Sequence, residues 1–170
     1  MHRQIRSRDG FTLIETLIVV AIIGLLAAIG IPMWLNSVNR TKQTQTVANM
    51  RQIAGAWEAR AADYKAYTAA GATYTLPPTS LDPDSAAALL VSTYIRSMPK
   101  LDGWRRPLEF WTNAAADGSS ATEYALRSLG RDGQMDSAQN YTVGPTHRFD
   151  CDIVYANGTF IAYPEGTQNQ

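Results

Sequence analysis

The sequence predicts an α+β chain: a long N-terminal helix, transmembrane in its first half, packed by a small antiparallel β-sheet head. Three observations predict it. No residue from Thr16 to Asn39 is charged, and Leu17 to Leu35 is long enough to span a bilayer, whose hydrocarbon core needs roughly 20 apolar residues in helical form. Beyond Leu35 the apolar residues Val47, Met50, Ala54, Trp57, Ala61 and Tyr64 recur every three or four positions, which is one face of a helix. Further on, short apolar runs alternate with turn signals and close on Asn157-Gly158, a strong hairpin pair.

Residues 1–10 form a short polar leader in which Arg3, Arg6 and Arg8 outnumber Asp9. An ordinary secretory signal carries its apolar region before the cleavage site. Here the leader ends in Gly10 and the apolar region follows. A cut after Gly10 would therefore leave the apolar helix on the mature chain. The leader's arginines belong on the cytoplasmic side, with everything after Leu35 outside.

Residues 11–35 are the membrane-spanning half of the helix. Glu15 stands at its edge, where an ionised group is costly and is by default a candidate functional site. Thr12-x-x-Glu15 also fits a capping box, with Glu15 bonded back to the Thr12 amide. The two roles are compatible. Pro32 lacks a backbone donor and clashes with the preceding turn, so a kink or break is expected at Gly30 and Pro32. Gly24 and Ala28 have the small-xxx-small spacing that lets helices approach, although Gly and Ala are common in membrane helices anyway.

Residues 36–65 are the amphipathic half. Arg40, Lys42, Gln45, Gln52, Glu58 and Arg60 fall mostly off the apolar face. A helix from Phe11 to about Tyr64 is roughly 80 Å long. Its second half can support a small domain, with Trp57 and Tyr64 in that domain's core.

Residues 66–170 form the head. Tyr67 to Thr75 reads as loop, and Pro77 to Pro83 as a rigid connector. Asp82 caps a short helix with Pro83 at its first position. That helix covers Ala86 to Ile95 and ends before Met98-Pro99. Strands are expected over Arg106–Trp111, Glu123–Leu129, Asp152–Ala156 and Thr159–Tyr163, giving a sheet of three or four strands.

Gly10-Phe11-Thr12-Leu13-Ile14-Glu15, with Pro32 beyond it, resembles the N-terminus of type IV pilins and of the pseudopilins of type II secretion. The strong resemblance covers about Arg8 to Ala54. It implies the type IV pilin fold, cleavage between Gly10 and Phe11 by a prepilin peptidase, and N-methylation of the new Phe11 amine. It also implies packing of the mature helix into a helical homopolymer, where Glu15 pairs with the Phe11 amine of a neighbouring subunit. Gly30 and Pro32 would then let the helix stretch on leaving the bilayer. The implied partners are the prepilin peptidase/methylase, an inner-membrane assembly platform, and minor pilins or pseudopilins.

The head resembles the major pseudopilins in its run from Leu81 through Tyr94-Ile95 to Pro99, in Asp102-Gly103-Trp104, in Ser128-Leu129-Gly130-Arg131-Asp132-Gly133 and in Asp150-Cys151-Asp152-Ile153. The resemblance implies a calcium ion pinning this loop. Asp132 and Asp152 would be ligands, Asp150 or Asp136 would assist, and carbonyl oxygens near Leu129 would complete the six to eight oxygens calcium favours. Read as local chemistry, an Asp-Gly pair makes a turn. Cys151 is the only cysteine, so the C-terminal disulfide of many large pilins cannot form.

The expected function is a structural filament subunit. The first reading is the pseudopilus of a type II secretion system, with a single-pass anchor in the inner membrane and the head in the periplasm. The alternative is a type IV pilin of an extracellular pilus, serving adhesion, twitching or DNA uptake. No enzyme signature is visible: beyond the leader, His147 is the only histidine, and there is no zinc spacing or phosphate-binding glycine loop. Without the leader the chain has 12 basic and 14 acidic residues, and no basic stripe suggests nucleic-acid binding.

Overall fold

The computed structural model describes residues 11–64, 73–91, 93–113 and 121–169. The leader with Gly10, and the stretch from Tyr67 up to residue 72, lie outside the described residues, as does the side chain of Tyr64. The chain divides into two compact units, Met1–Ser37 and Val38–Gln170.

Helix α1 runs from Leu13 to Tyr64 as a single 52-residue element and contributes to both units. The break expected at Gly30 and Pro32 is absent: α1 continues through both. Proline removes only one donor, and a helix this long retains its other hydrogen bonds on either side.

In the second unit, α2 (Pro83–Leu90) begins as the sequence indicates. Asp82 is its N-cap, and its carboxylate accepts from the amides of Asp84 and Ser85. It ends earlier than expected, because Val91 is already extended and Tyr94 and Ile95 both donate back to the Leu90 carbonyl.

The strands in chain order are β1 (Thr73–Thr75), β2 (Thr79–Leu81), β3 (Glu109–Thr112), β4 (Tyr124–Ser128), β5 (Asn140–Thr142), β6 (Gly144–Arg148), β7 (Ile153–Ala156) and β8 (Thr159–Asn169). Six of them form one sheet, ordered β2-β3-β4-β7-β8-β6, and β1 pairs with β5 separately. The expected sheet of three or four strands is therefore too small. It is also mixed, since β6 runs parallel to β8. The predicted hairpin is present: Asn157 and Gly158 take positive φ, and Ala156 pairs with Thr159.

Alternation along the strands sends side chains to two cores. Phe110, Leu126, Tyr124, Ile153 and Tyr155 meet Met50, Ile53, Ala54 and Trp57 of α1, with Ala86 and Leu90 of α2. On the other face Ala125, Val154, Ala156 and Ile161 are covered by Tyr74 of β1 and Tyr141 of β5. Trp57 stacks on Tyr124 with ring centroids 5.4 Å apart. The expected core role of Trp57 holds, but Arg60 is buried as well, with its guanidinium over the Trp57 ring.

Candidate functional site

The N-terminus of α1 carries the first set of functional residues. The capping box forms in full. Glu15 N donates to Thr12 Oγ1 at 3.3 Å, and Glu15 Oε2 accepts from Thr12 N at 3.2 Å and from Thr12 Oγ1 at 3.0 Å. The partial positive charge of a helix N-terminus also favours a carboxylate here. Among the described residues Glu15 has no ion pair within the chain. Phe11, the residue that cleavage would make N-terminal, is 80% exposed. The site therefore presents an anion held in place by its own first turn.

Behind it the helix is bare. Leu17, Ile18, Ile22, Leu25, Leu26 and Ile29 are all exposed. A contiguous apolar surface of that extent needs lipid or another protein to cover it. By length and composition α1 is able to cross a membrane.

The second set lies in the head, where the Asp102-Gly103-Trp104 run docks on the amphipathic half of α1. Asp102 is buried, yet its carboxylate is satisfied. Oδ1 accepts the amides of Trp104 and Arg106 at 2.9 Å, and Oδ2 accepts from Ser128 Oγ at 2.9 Å. Gly103 donates its amide to Thr46 Oγ1, and Trp104 Nε1 donates to Asn39 Oδ1. A Cβ on Gly103 would lie 1.9 Å from the Lys42 carbonyl oxygen, so only glycine permits this approach. Glu58 adds a further tie, accepting from the hydroxyls of Tyr124 and Tyr155.

The resemblance implies a calcium ion held by Asp132, Asp136, Asp150, Asp152 and the carbonyl of Leu129, residues on the β4–β5 loop and the β6–β7 turn. The structure does not assemble that set. Asp150 is taken by Arg131 in a two-pronged ion pair at 2.8 and 3.0 Å, with Arg148 nearby. The Arg131 hydrogen bond holds its carboxyl below the usual range. Asp132 accepts the Gln134 amide, as in a simple turn. The Leu129 carbonyl accepts from Gly133 N.

Asp136 and Asp152 pair with each other's backbone. Asp152 N donates to Asp136 Oδ2 at 2.7 Å, and Asp136 N donates to Asp152 Oδ2 at 3.2 Å. Asp152 also accepts from the Tyr141 hydroxyl, and its other oxygen has no partner. Burial pushes its pKa up to about 6 against those stabilising hydrogen bonds. Among the described residues no three acidic, histidine or cysteine side chains form a metal-binding group. Of the expected calcium ligands, Asp150 is thus held by two arginines, while Asp132 and the Leu129 carbonyl serve turns.

Sequence reading missed Arg127. It is 1% exposed, in the middle of a buried strand. Its guanidinium bonds Glu109 Oε2, the carbonyls of Ser137 and Ala138, and the Tyr141 hydroxyl. Burial opposes its charge, but the hydrogen bonds to Tyr141 and Glu109 outweigh that and keep its pKa above the ordinary value. The available signal was a lone cation inside the run Tyr124-Ala125-Leu126-Arg127-Ser128, since a buried charge must be paired. Cys151 is half-buried, and burial raises its thiol pKa.

Comparison with known proteins is consistent with this geometry. Residues 5–31 match the prokaryotic N-terminal methylation motif. The type II secretion system core protein G of Pseudomonas aeruginosa is 30% identical over 141 residues, covering 81% of this chain and 93% of that protein. A fimbrial protein of Pseudomonas aeruginosa is 47% identical over 53 residues, which is 31% of this chain and 34% of its own. The type IV major pilin protein PilA of Myxococcus xanthus is 52% identical over 44 residues, 26% of this chain and 20% of its own. No solved structure matches the chain significantly. The motif, the exposed apolar helix and a similarity that extends through the head make this chain a member of the type IV pilin-like family, related to core protein G of type II secretion, and a structural subunit of a pilus-like filament.

Proposed function

We propose that the chain builds the pseudopilus of a type II secretion system. The observation that carries this is the extent of similarity. The match to core protein G covers 81% of the chain, whereas the fimbrial matches cover about a third of it or less. The head is what differs between the two filament types, since they share the helix.

In this reading the leader is removed between Gly10 and Phe11 and the Phe11 amine is methylated. The helix waits in the inner membrane with the head in the periplasm, and it enters the filament when an assembly platform extracts it. Glu15 accepts the Phe11 ammonium of a neighbouring subunit. Removing both charges from water is costly, so the pair fixes register more than it adds stability. Head-to-tail repetition of one non-closing contact then gives an open helix. The chain has no catalytic role; its work is mechanical.

The test is Glu15→Val in the native host. Membrane insertion should persist, while filament formation and secretion should fail. The N-terminal mass of the mature protein should correspond to methylated Phe11. Normal filaments from the variant, or retention of the leader, would overturn the reading. The high local identity to fimbrial proteins favours, as a second reading, an extracellular type IV pilus. A gene neighbourhood with a retraction ATPase and no secretion ATPase would select it.

A further inference from the structure

The loop from Leu129 to Ala138 is long, polar and stapled by no disulfide, yet the backbone oxygens of Leu129, Arg131, Ser137 and Ala138 are occupied. Arg106 Nη2 donates to the Arg131 carbonyl at 2.7 Å. The same guanidinium packs against Gly133, where a Cβ would fall 1.3 Å from Arg106 Nη1. Arg127 Nη1 reaches the carbonyls of Ser137 and Ala138 at the other end of the loop. Arg131, within the loop, clamps Asp150. The amide exchange between Asp136 and Asp152 closes the middle.

A bound divalent cation organises a loop by gathering carbonyl and carboxylate oxygens around positive charge. Here guanidiniums supply that charge: Arg127 satisfies several acceptors at once through its fork, and Arg106 takes the Arg131 carbonyl. Both are aimed from outside the loop. Arg127 projects from β4, and Arg106 leaves the turn that Asp102 holds through the amides of Trp104 and Arg106. Neither can leave as a metal ion can.

We propose that Arg106 and Arg127 hold this loop in place of calcium, so that the head folds and stays folded independently of the metal. The proposal concerns only the head and does not depend on which filament the helix builds.

The experiment uses the full chain in detergent micelles. Thermal unfolding is followed by tryptophan fluorescence in EGTA and in millimolar calcium, beside calorimetric titration with calcium chloride. The two melting curves of the wild type should superimpose, with no heat of saturable binding. Arg106→Met should lower Tm by about 5 °C or more and expose the 129–138 loop to limited proteolysis, with or without calcium. Arg106→Lys keeps the charge but loses the fork, and should recover only part of the loss. A calcium-dependent rise in wild-type Tm, saturable calcium binding, or an Arg106→Met variant that melts and resists protease like the wild type would each overturn the proposal. Arg127→Met is the harsher variant; should it fail to fold, Arg106→Met and the wild-type titration still decide.

Discussion

Replacing Gly103 by Ala tests whether the head is seated on α1 by the close approach described above. An alanine Cβ would start 1.9 Å from the Lys42 carbonyl oxygen and would have to retreat to at least 3.4 Å for ordinary contact. The obstacle is helix backbone, which cannot rotate aside as a side chain does. Forcing extra volume into a packed site costs about 1–3 kcal/mol. The retreat also lengthens the 2.8 Å bond from Gly103 N to Thr46 Oγ1, worth about 1 kcal/mol net. The expected loss is therefore about 2–4 kcal/mol. At a urea dependence of about 2 kcal/mol per molar, the unfolding midpoint should fall by about 1–2 M. Urea titration of the micelle-bound chain, followed by tryptophan fluorescence, reads this directly. Gly144→Ala is the control, because its Cβ would meet open space; it should stay within about 0.5 kcal/mol of wild type. A Gly103→Ala midpoint no lower than that of Gly144→Ala would refute the seating argument.

Two other effects should be measurable in the same protein. Asp82→Ala removes the N-cap of α2 and should cost about 1 kcal/mol, seen as a lower urea midpoint; an unchanged midpoint would show that the cap does not matter. Asp152, with its pKa raised to about 6 by burial, binds a proton more tightly in the folded than in the unfolded chain. Its contribution is complete below about pH 4 and is lost as pH rises through 6, on the order of 3 kcal/mol. Asp152→Asn should remove that decline, and parallel pH–stability profiles for wild type and variant between pH 4 and 6 would contradict it.

What was legible in the sequence was local. Thr12 and Glu15 define a capping box by spacing alone, Asp82 and Pro83 define a helix start, and Asn157-Gly158 defines a hairpin. Each appears in the structure because its partners lie within four residues. The illegible features depend on distant partners. Strand β6 contains Pro145 and pairs in parallel with β8, which no turn signal announces. The resemblance to the major pseudopilins implied a metal shell from the aspartates of the 129–152 region. Arg131, next to Asp132 in sequence, instead reaches Asp150 across the turn, and Arg106 arrives from another loop. The charges were visible, but the partner of each was decided by tertiary packing. The same holds for Arg60, polar by type but buried beside Trp57.

Strand β8, the last element in chain order, lies between β7 and β6 and not at an edge of the sheet. Gln168, near its end, donates to the carbonyls of Thr146 and Glu165 and accepts from Gln43 of α1. Until residues as late as these have emerged from the synthesising and exporting machinery, β6 has no neighbour in the sheet and one face of α1 stays open. The bare apolar helix will by then have been made for more than a hundred residues. A subunit whose synthesis stops early is thus anchored but lacks the completed head, and such a chain offers its neighbours a different surface from the finished one. Placing β8 inside the sheet makes the pairing of β6 and the cover over this part of α1 wait for a strand made after every other described one.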